Sequence, residues 1–549
     1  MSRKIDRFMT VLLLVAICLS TVVSAADSPV NPPIRVGLAY GSAALPGANL
    51  ENSTGSGYRL GYFDEDLNFC TLGNTAETQI SVVKTQNVSL SGGNYVDGTS
   101  SGGVTVGCYH LQLPGSYGTF GEACSAAAAV QGGFPAWTNG VYQVRAGTYP
   151  TKAEAQSAQE SLGLTGASVA GTSGYAVTVV ATKTGKPVFQ FDGGDSLSFG
   201  ILPGLDDSVK TVTWFKGYRY YGGFRYLRQS GGNLTVINIV PLEDYVRGVL
   251  PYEMSNDWPL EALKAQAVCA RTYAYMNLGK HGRDGFDICN TTDCQVYRGV
   301  GLASALTDQA VDETNGKYVW YDGQLAQTFY FSSDGGATED VRNIWNANAD
   351  MPYLVGVTDS YEALVSSRIS QYNWTKTISK SEAAETLRGK GYNCGTIVKV
   401  YVSEYSPTGN PVATTFLDSA GKKWSFSPEK LRLWFGLRSN RFDVNGQSGG
   451  GGYSLKGAEG ALTTAVDGLY AVDGSGAVTQ ISGAPYVITG AGTEQVSSGD
   501  SSSRDTVTFA GSGWGHNVGM SQWGANAMAG QGKTYIDILT FYFAGVEVR

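Results

Sequence analysis

Pro241-Leu-Glu-Asp-Tyr-Val-Arg-Gly-Val-Leu-Pro-Tyr-Glu-Met254, running on into Leu260 to Tyr275, is the stretch on which the reading of this chain turns. A Pro/Gly-punctuated entry presents one acidic residue, Glu253, directly after a rigid Pro251 turn. A helix-like segment follows and carries Lys264 and Arg271. Two readings of Glu253 stand side by side. A lone carboxylate on a fixed turn beside two long cations suits general acid/base work. An acid in a first helical turn also simply favours the positive end of the helix dipole.

Around that stretch the pattern alternates between strand and helix. Upstream lie strand-like runs: Val188 to Phe191, Thr211 to Phe215, Gly222 to Leu227 and Leu234 to Val240. Downstream, a helix is expected over 258–278, with Pro259 in the first turn, where its missing N–H costs nothing. Lys264 and Arg271 are seven apart and share a helix face. Asp257 and Glu261 sit at helix-start spacing and read as capping or dipole residues. Further helices are expected at 301–316, 380–390 and Asp537 to Phe543. Near the N-terminus, Ile34 to Tyr40 reads as a strand, and 43–135 is rich in Gly, Ser and Thr with short β-like runs such as Gln79 to Lys84. Residues 445–504 hold Gly/Ser-rich ends around an alternating segment, 461–492, that reads as a β-hairpin insertion or exposed loop. The fold class is α+β.

Composition bounds the function. At 549 residues the chain exceeds one ordinary domain. Its 73 glycines, 32 tyrosines and 10 tryptophans suggest loops, strands and flat aromatic surfaces, which serve as platforms for sugars or as core. A net charge of −8 argues against a nucleic-acid binder. Residues 1–25 read as a signal peptide: Arg3, Lys4 and Arg7 precede the short apolar run Val11 to Val23, and Val23-Ser-Ala25 is a cleavage site. The protein is expected to be exported, to the envelope or beyond, with an uncleaved signal anchor as the one route to membrane attachment. Outside Cys18, seven cysteines remain, an odd number. Cys269 reads as a buried small hydrophobe, and a pairing among Cys70, Cys108 and Cys124 stays open. His281, Cys289 and Cys294 form the one Cys/His cluster, with a Cys289–Cys294 disulfide as the alternative. His110 has no motif around it and reads as a surface residue. Ser332 has no His/Asp partner pattern and is not a convincing nucleophile.

Two resemblances sharpen this. Val141 to Tyr149, a helix from Thr151 with Glu154 completing a capping box, and Ser173 to Val180 give a β-α-β order over 138–183 that resembles a SPOR domain, a repeat that binds denuded glycan strands. The Pro241 to Met254 block and four others, in order, resemble the stage II sporulation protein D family, also called the SpoIID/LytB or amidase-enhancer family. The four are Phe286-Asp-Ile-Cys-Asn-Thr-Thr-Asp-Cys-Gln-Val-Tyr297, Phe331 to Glu339, Gly436-Leu-Arg-Ser439 and Gly511-Ser-Gly-Trp-Gly-His-Asn-Val-Gly-Met-Ser-Gln-Trp-Gly-Ala525. The resemblance implies a strand-rich SpoIID/LytB-type domain, 27–135 plus 186–549, with helices around an active-site groove.

The family resemblance also implies chemistry. Glu253 matches the catalytic glutamate of a peptidoglycan lytic transglycosylase, which cuts glycan strands to 1,6-anhydro-muramyl ends. Lys264 and Arg271 match positions needed for activity, and Tyr273, Gln295, Tyr297, His516, Ser521 and Gln522 are expected to bind substrate or support the site. Family members can hold zinc through two cysteines and a histidine, here Cys289, Cys294 and His281. Three ligands leave room for water, and the soft thiolates favour zinc over magnesium or calcium. A structural role is expected, fixing the loop of Gln295 and Tyr297. Departures from the family pattern are Tyr252, Asp293 for a histidine, Asn517 for a glycine and Trp523 for a tyrosine. The partners implied are peptide-stripped glycan strands and a cell-wall amidase, in sporulation. A non-catalytic amidase-enhancing wall binder is the alternative. A zinc hydrolase ranks last, since no His-Glu-x-x-His accompanies the cluster.

Overall fold

The computed structural model describes residues 31–171, 173–345, 351–444 and 505–549, and the backbone of six short strands between 453 and 495. The expected signal segment, 1–25, lies outside the described residues. Two large sheets and a helical layer form one continuous core. The first sheet has seven strands, in the order Ile288–Cys289, Pro33–Ala39, Thr235–Pro241, Gly223–Leu227, Phe199–Pro203, Tyr58–Phe63 and Phe69–Thr75. Thr235–Pro241 lies inside it and is buried at five successive positions, which explains its unbroken apolar run. It pairs antiparallel with Pro33–Ala39, Ile34 opposite Val240, across two hundred residues of sequence. On the other side of Pro33–Ala39 the short strand Ile288–Cys289 adds in parallel. Gly37 is required there, because a Cβ would lie 2.6 Å from the Phe286 ring.

The second sheet has ten strands, and four of them alter the domain boundaries drawn from sequence. Tyr109–Gln112, helix α1 (Phe120–Ala128), Gly133–Thr138, Val141–Tyr149, helix α2 (Lys152–Ser161) and Ser168–Ala170 form a β-α-β-β-α-β unit. Its strands lie fourth-first-third-second, all antiparallel. Both helices open with a capping box, Thr119 with Glu122 and Thr151 with Glu154. The small α+β unit therefore starts some thirty residues before 138. It also ends earlier than 183: Val177–Ala181 instead pairs with Gln79–Lys84 and Pro187–Asp192 in the body of the sheet. Nor is the unit free-standing, since Gly133–Thr138 pairs in parallel with Pro187–Asp192. His110 is a second correction. It is fully buried, its Nδ1 2.7 Å from Gly147 O and its Nε2 2.9 Å from Gln190 Nε2.

The helical layer comprises α3 (Leu242–Glu253), α4 (Leu260–Met276) and α5 (Ala305–Glu313), with α6 (Val341–Trp345) beyond them. Two further helices, α7 (Lys380–Gly389) and α8 (Pro428–Phe435), pack with the strands of 373–444 and 505–512 around a separate apolar core that includes Trp374, Phe416, Leu431 and Phe509. The chain closes with α9 (Gln522–Gly530) and α10 (Tyr535–Tyr542). Alanines line α4, and almost every residue from Ala262 to Ala274 is buried, so α3, α5, α9 and α10 can pack closely around it. The inserted segment forms three two-stranded hairpins rather than one. Among the described residues no helix is long and apolar enough to cross a membrane, and no two cysteines are bonded.

Candidate active site

Glu253 is the last residue of α3, not the first turn of the helix that follows. Pro251 lies inside α3, and Met254 leaves helical geometry at φ −127° and ψ 151°. The Glu253 carboxyl thus sits at the negative end of the helix dipole, which disfavours its charge. Its donors are all uncharged. Val296 N–H donates to Oε1 at 2.9 Å, Gln522 Nε2 to Oε2 at 3.3 Å, and the Tyr330 hydroxyl to the same group. Burial pushes the carboxyl above the ordinary carboxylate range, and the three donors pull it only part of the way back.

The donors are themselves oriented. Gln295 is buried; its Nε2 donates to the Tyr330 hydroxyl at 3.0 Å while its Oε1 accepts from Tyr245 at 3.0 Å. Tyr330 receives one bond and so has its own proton to turn toward Glu253. Strand Tyr330–Phe331 pairs in parallel with Met520–Ser521, which brings Tyr330 and Gln522 to one carboxylate. Ser521 caps α9, its Oγ accepting Gly524 N–H at 3.1 Å. His516 does not reach Glu253. Its Nδ1 accepts Val518 N–H at 3.2 Å, so Nε2 carries the proton and donates to Tyr330 O at 3.1 Å. Burial pushes this imidazole down to about 4, so it stays neutral and pins the backbone beneath Tyr330. Asn517, where the family pattern has glycine, adopts the left-handed φ of 65° that asparagine tolerates.

Four expected site residues are occupied elsewhere. Arg271 is fully buried, and both arms of its guanidinium grip Glu243 of α3 at 2.7 Å, with further bonds to Lys317 O and Thr314. It locks α4 to α3 and has no arm free for a substrate. Lys264 pairs with Glu261 at 2.7 Å and with Glu313 at 2.6 Å, joining α4 to α5. Tyr297 is core: its hydroxyl donates to Asn238 at 2.6 Å and its ring lies 4.8 Å from Tyr245. Tyr273 packs edge-on against Phe329 and bonds Lys280.

A second cluster lies one residue along from Gln295. His281, Cys289 and Cys294 come together as expected from sequence, and Asp293 joins them, all four donor atoms within 4.8 Å of one another. His281 Nε2 is 3.2 Å from Asp293 Oδ2 and 3.5 Å from Cys294 Sγ; Asp293 Oδ2 is 3.8 and 3.9 Å from the two sulfurs. Tetrahedral bonds of about 2.0–2.3 Å put zinc donors roughly 3.3–3.8 Å apart, so the set fits that ion. Both cysteines are free thiols, in place of the disulfide alternative. The bond between the two sulfurs pulls the Cys289 thiol down and pushes the Cys294 thiol up, so the pair favours one thiolate, and the second proton would leave on binding a metal. Burial would raise Asp293, but Lys280 and His281 outweigh it and hold the carboxylate charged.

Sequence pattern did not mark Tyr330 or Tyr245 as site residues, and it marked Asp293 only as a departure from the family pattern, not as a ligand. Tyr330 stands one residue before a quoted block, and Asp293 inside another, so the signal for both was present; Val296 acts through its backbone and leaves none. Comparison with known proteins adds the family context. Residues 230–321 match the family model described as SpoIID, stage II sporulation protein. An uncharacterized protein of Brachyspira hyodysenteriae is 31% identical over 333 residues, 60% of this chain and 73% of that one. The amidase enhancer of Bacillus subtilis is 30% identical over 332 residues, 55% of this chain but only 40% of the relative. The stage II sporulation protein D of the same organism is 28% identical over 332 residues, 58% of this chain and 76% of the relative.

Proposed function

The chain belongs to the SpoIID family, and from that premise we propose that it is an exported peptidoglycan lytic transglycosylase with Glu253 as its acid and base. In the first half of the reaction the Glu253 carboxylic acid gives its proton to the glycosidic oxygen between N-acetylmuramic acid and N-acetylglucosamine. The muramyl C6 hydroxyl attacks C1 as that C–O bond breaks. Glu253, now a carboxylate, takes the C6 hydroxyl proton. The products are a 1,6-anhydro-muramyl end and a free N-acetylglucosamine hydroxyl, and no water is consumed. One carboxyl group suffices because the nucleophile belongs to the substrate, whereas a water-using glycosidase generally employs two.

The observation that carries this reading is the surroundings of Glu253. A carboxyl lifted by burial and a helix C-terminus keeps its proton to higher pH than an ordinary glutamate, and neutral donors stabilise the anion that forms. Glu253→Gln keeps the shape and removes the proton. It is expected to lose strand cleavage and keep strand binding; equal cleavage by the two proteins refutes the assignment. Beside this site, His281, Cys289, Asp293 and Cys294 would hold zinc as a closed structural centre that anchors the loop of Gln295 and Val296.

A second reading is a wall binder that enhances a partner amidase in sporulation. It is favoured by the relative named amidase enhancer. Under it, Glu253→Gln leaves amidase stimulation unchanged and the native protein cleaves nothing.

A further inference from the structure

Glu362 opens the short 3-10 turn Glu362–Arg368 and is fully buried, yet no motif in the sequence points to it. Its Oε1 accepts from Ser333 Oγ at 2.6 Å and from Gly335 N–H at 2.9 Å. Its Oε2 accepts from Asp334 N–H at 2.9 Å and from Ser521 Oγ at 2.6 Å. All the acceptor positions of one carboxylate are thereby used. The turn is held in place by Asp359, which accepts from Tyr361 N–H at 2.7 Å and Glu362 N–H at 3.2 Å.

The four donors come from only two segments, and each segment runs straight into a group that holds Glu253. Ser521 is followed by Gln522, which donates to Glu253. Ser333 lies three residues after Tyr330, the other side-chain donor. The strands Tyr330–Phe331 and Met520–Ser521 are paired, and Glu362 ties their ends together. We propose that Glu362 is a positioning residue whose carboxylate sets the register of these two strands, so that Gln522 and Tyr330 reach Glu253 together. This rests on the reading of Glu253 as the acid and base. A carboxylate accepts from all four donors, whereas a glutamine side chain turns its NH2 toward one backbone N–H, which it cannot bond, and toward one serine hydroxyl, which has to rotate and accept instead. The ionisable groups around Glu362 are Asp334, Asp359, Tyr372 and Tyr542.

The test compares the full native chain with Glu362→Gln, Ser333→Ala and Glu253→Gln. Each is labelled with carboxyl-13C glutamate, and the Glu253 resonance is identified by its loss in Glu253→Gln. In Glu362→Gln, kcat on peptide-free strands is expected to fall about 10–100-fold, the usual cost of removing an orienting partner, with KM little changed. Its Glu253 resonance is expected to titrate at higher pH, because donors to the anion have been loosened. Ser333→Ala is expected to move the resonance the same way by less. A folded Glu362→Gln with native kcat and an unmoved Glu253 titration overturns the proposal. Should that variant not fold, Ser333→Ala decides in the same terms. Should the native chain cleave nothing, the transglycosylase reading falls, and the Glu253 titration still decides the role of Glu362.

Discussion

A carboxyl group that must give up a proton and then take one works best with a pKa near the working pH. Burial and the end of α3 raise Glu253, and the Tyr330 hydroxyl is one of the three bonds that lower it again. Removing that hydroxyl in Tyr330→Phe takes away a donor to the anion, so the pKa rises further. Because in the proposed mechanism the acid form starts the reaction, the alkaline limb of the kcat–pH profile is expected to move to higher pH. A limb that stays put or moves down refutes the role given to Tyr330. The histidines make a separate prediction about stability. His110 and His516 are buried neutral, both pushed down to about 4. An unfolded histidine protonates near 6.5. Above that pH both states are neutral and nothing is lost; as pH falls from about 6.5 toward 4, the unfolded state alone gains protons and stability drains away. Denaturant midpoints measured across that window should fall as pH falls, and His110→Gln should flatten the slope. Glu253 was legible in the sequence because its neighbours form a recognisable block. Its partners were less so: Val296 contributes only a backbone N–H, and Tyr330 arrives through strand pairing, which local spacing cannot reveal.

At the scale of elements, the cations of α4 mark where reading a helix face from sequence stops. Spacing placed Lys264 and Arg271 on one face, but not what that face meets. It meets α3 and α5, so Arg271 becomes a buried clamp on Glu243 and Lys264 a partly exposed bridge. Removing one partner of a buried pair costs about 3–5 kcal/mol. Arg271→Ala is therefore expected to lose stability on that scale in chemical denaturation. Lys264→Ala is expected to lose about 1 kcal/mol or less. The reverse ranking contradicts the assignment. The metal loop is the other element with a sharp expectation. Purified protein is expected to carry zinc in stoichiometric amount by elemental analysis, with Asp293→Ala and Cys294→Ser reducing it and lowering the thermal midpoint. Zinc content unchanged in Asp293→Ala would remove that residue from the ligand set. Of the ten described α-helices, sequence pattern located α2, α4, α5, α7 and α10 to within a few residues and did not foresee α3, α6, α8 and α9. It passed over α1, whose Thr119/Glu122 capping box lies in the Gly/Ser/Thr-rich region 43–135 that reads as short β-like runs.

Over the whole molecule, the two sheets cross the boundaries that composition suggested. The β-α-β stretch at 138–183 looks like a separable insertion in sequence, yet it belongs to a larger unit whose strand Gly133–Thr138 is hydrogen-bonded to Pro187–Asp192 within one sheet. Cutting out 105–170 would expose that strand as an unpaired edge, which invites aggregation. The excised protein is expected to be less soluble and less stable than the native one, whereas an independent insertion would leave both unchanged. Long-range pairings of this kind, such as Pro33–Ala39 against Thr235–Pro241, leave no mark in local pattern. The architecture brings a lone carboxyl, neutral donors and a metal-fitting loop to one place, and the central claim is that the substrate's own hydroxyl completes the reaction. The most direct test is mass spectrometry of the ends produced from peptide-free glycan strands in 18O-labelled water. Native protein is predicted to yield 1,6-anhydro-muramyl ends free of 18O, and Glu253→Gln none. Reducing ends carrying 18O, or no cleavage by the native protein, would contradict the account.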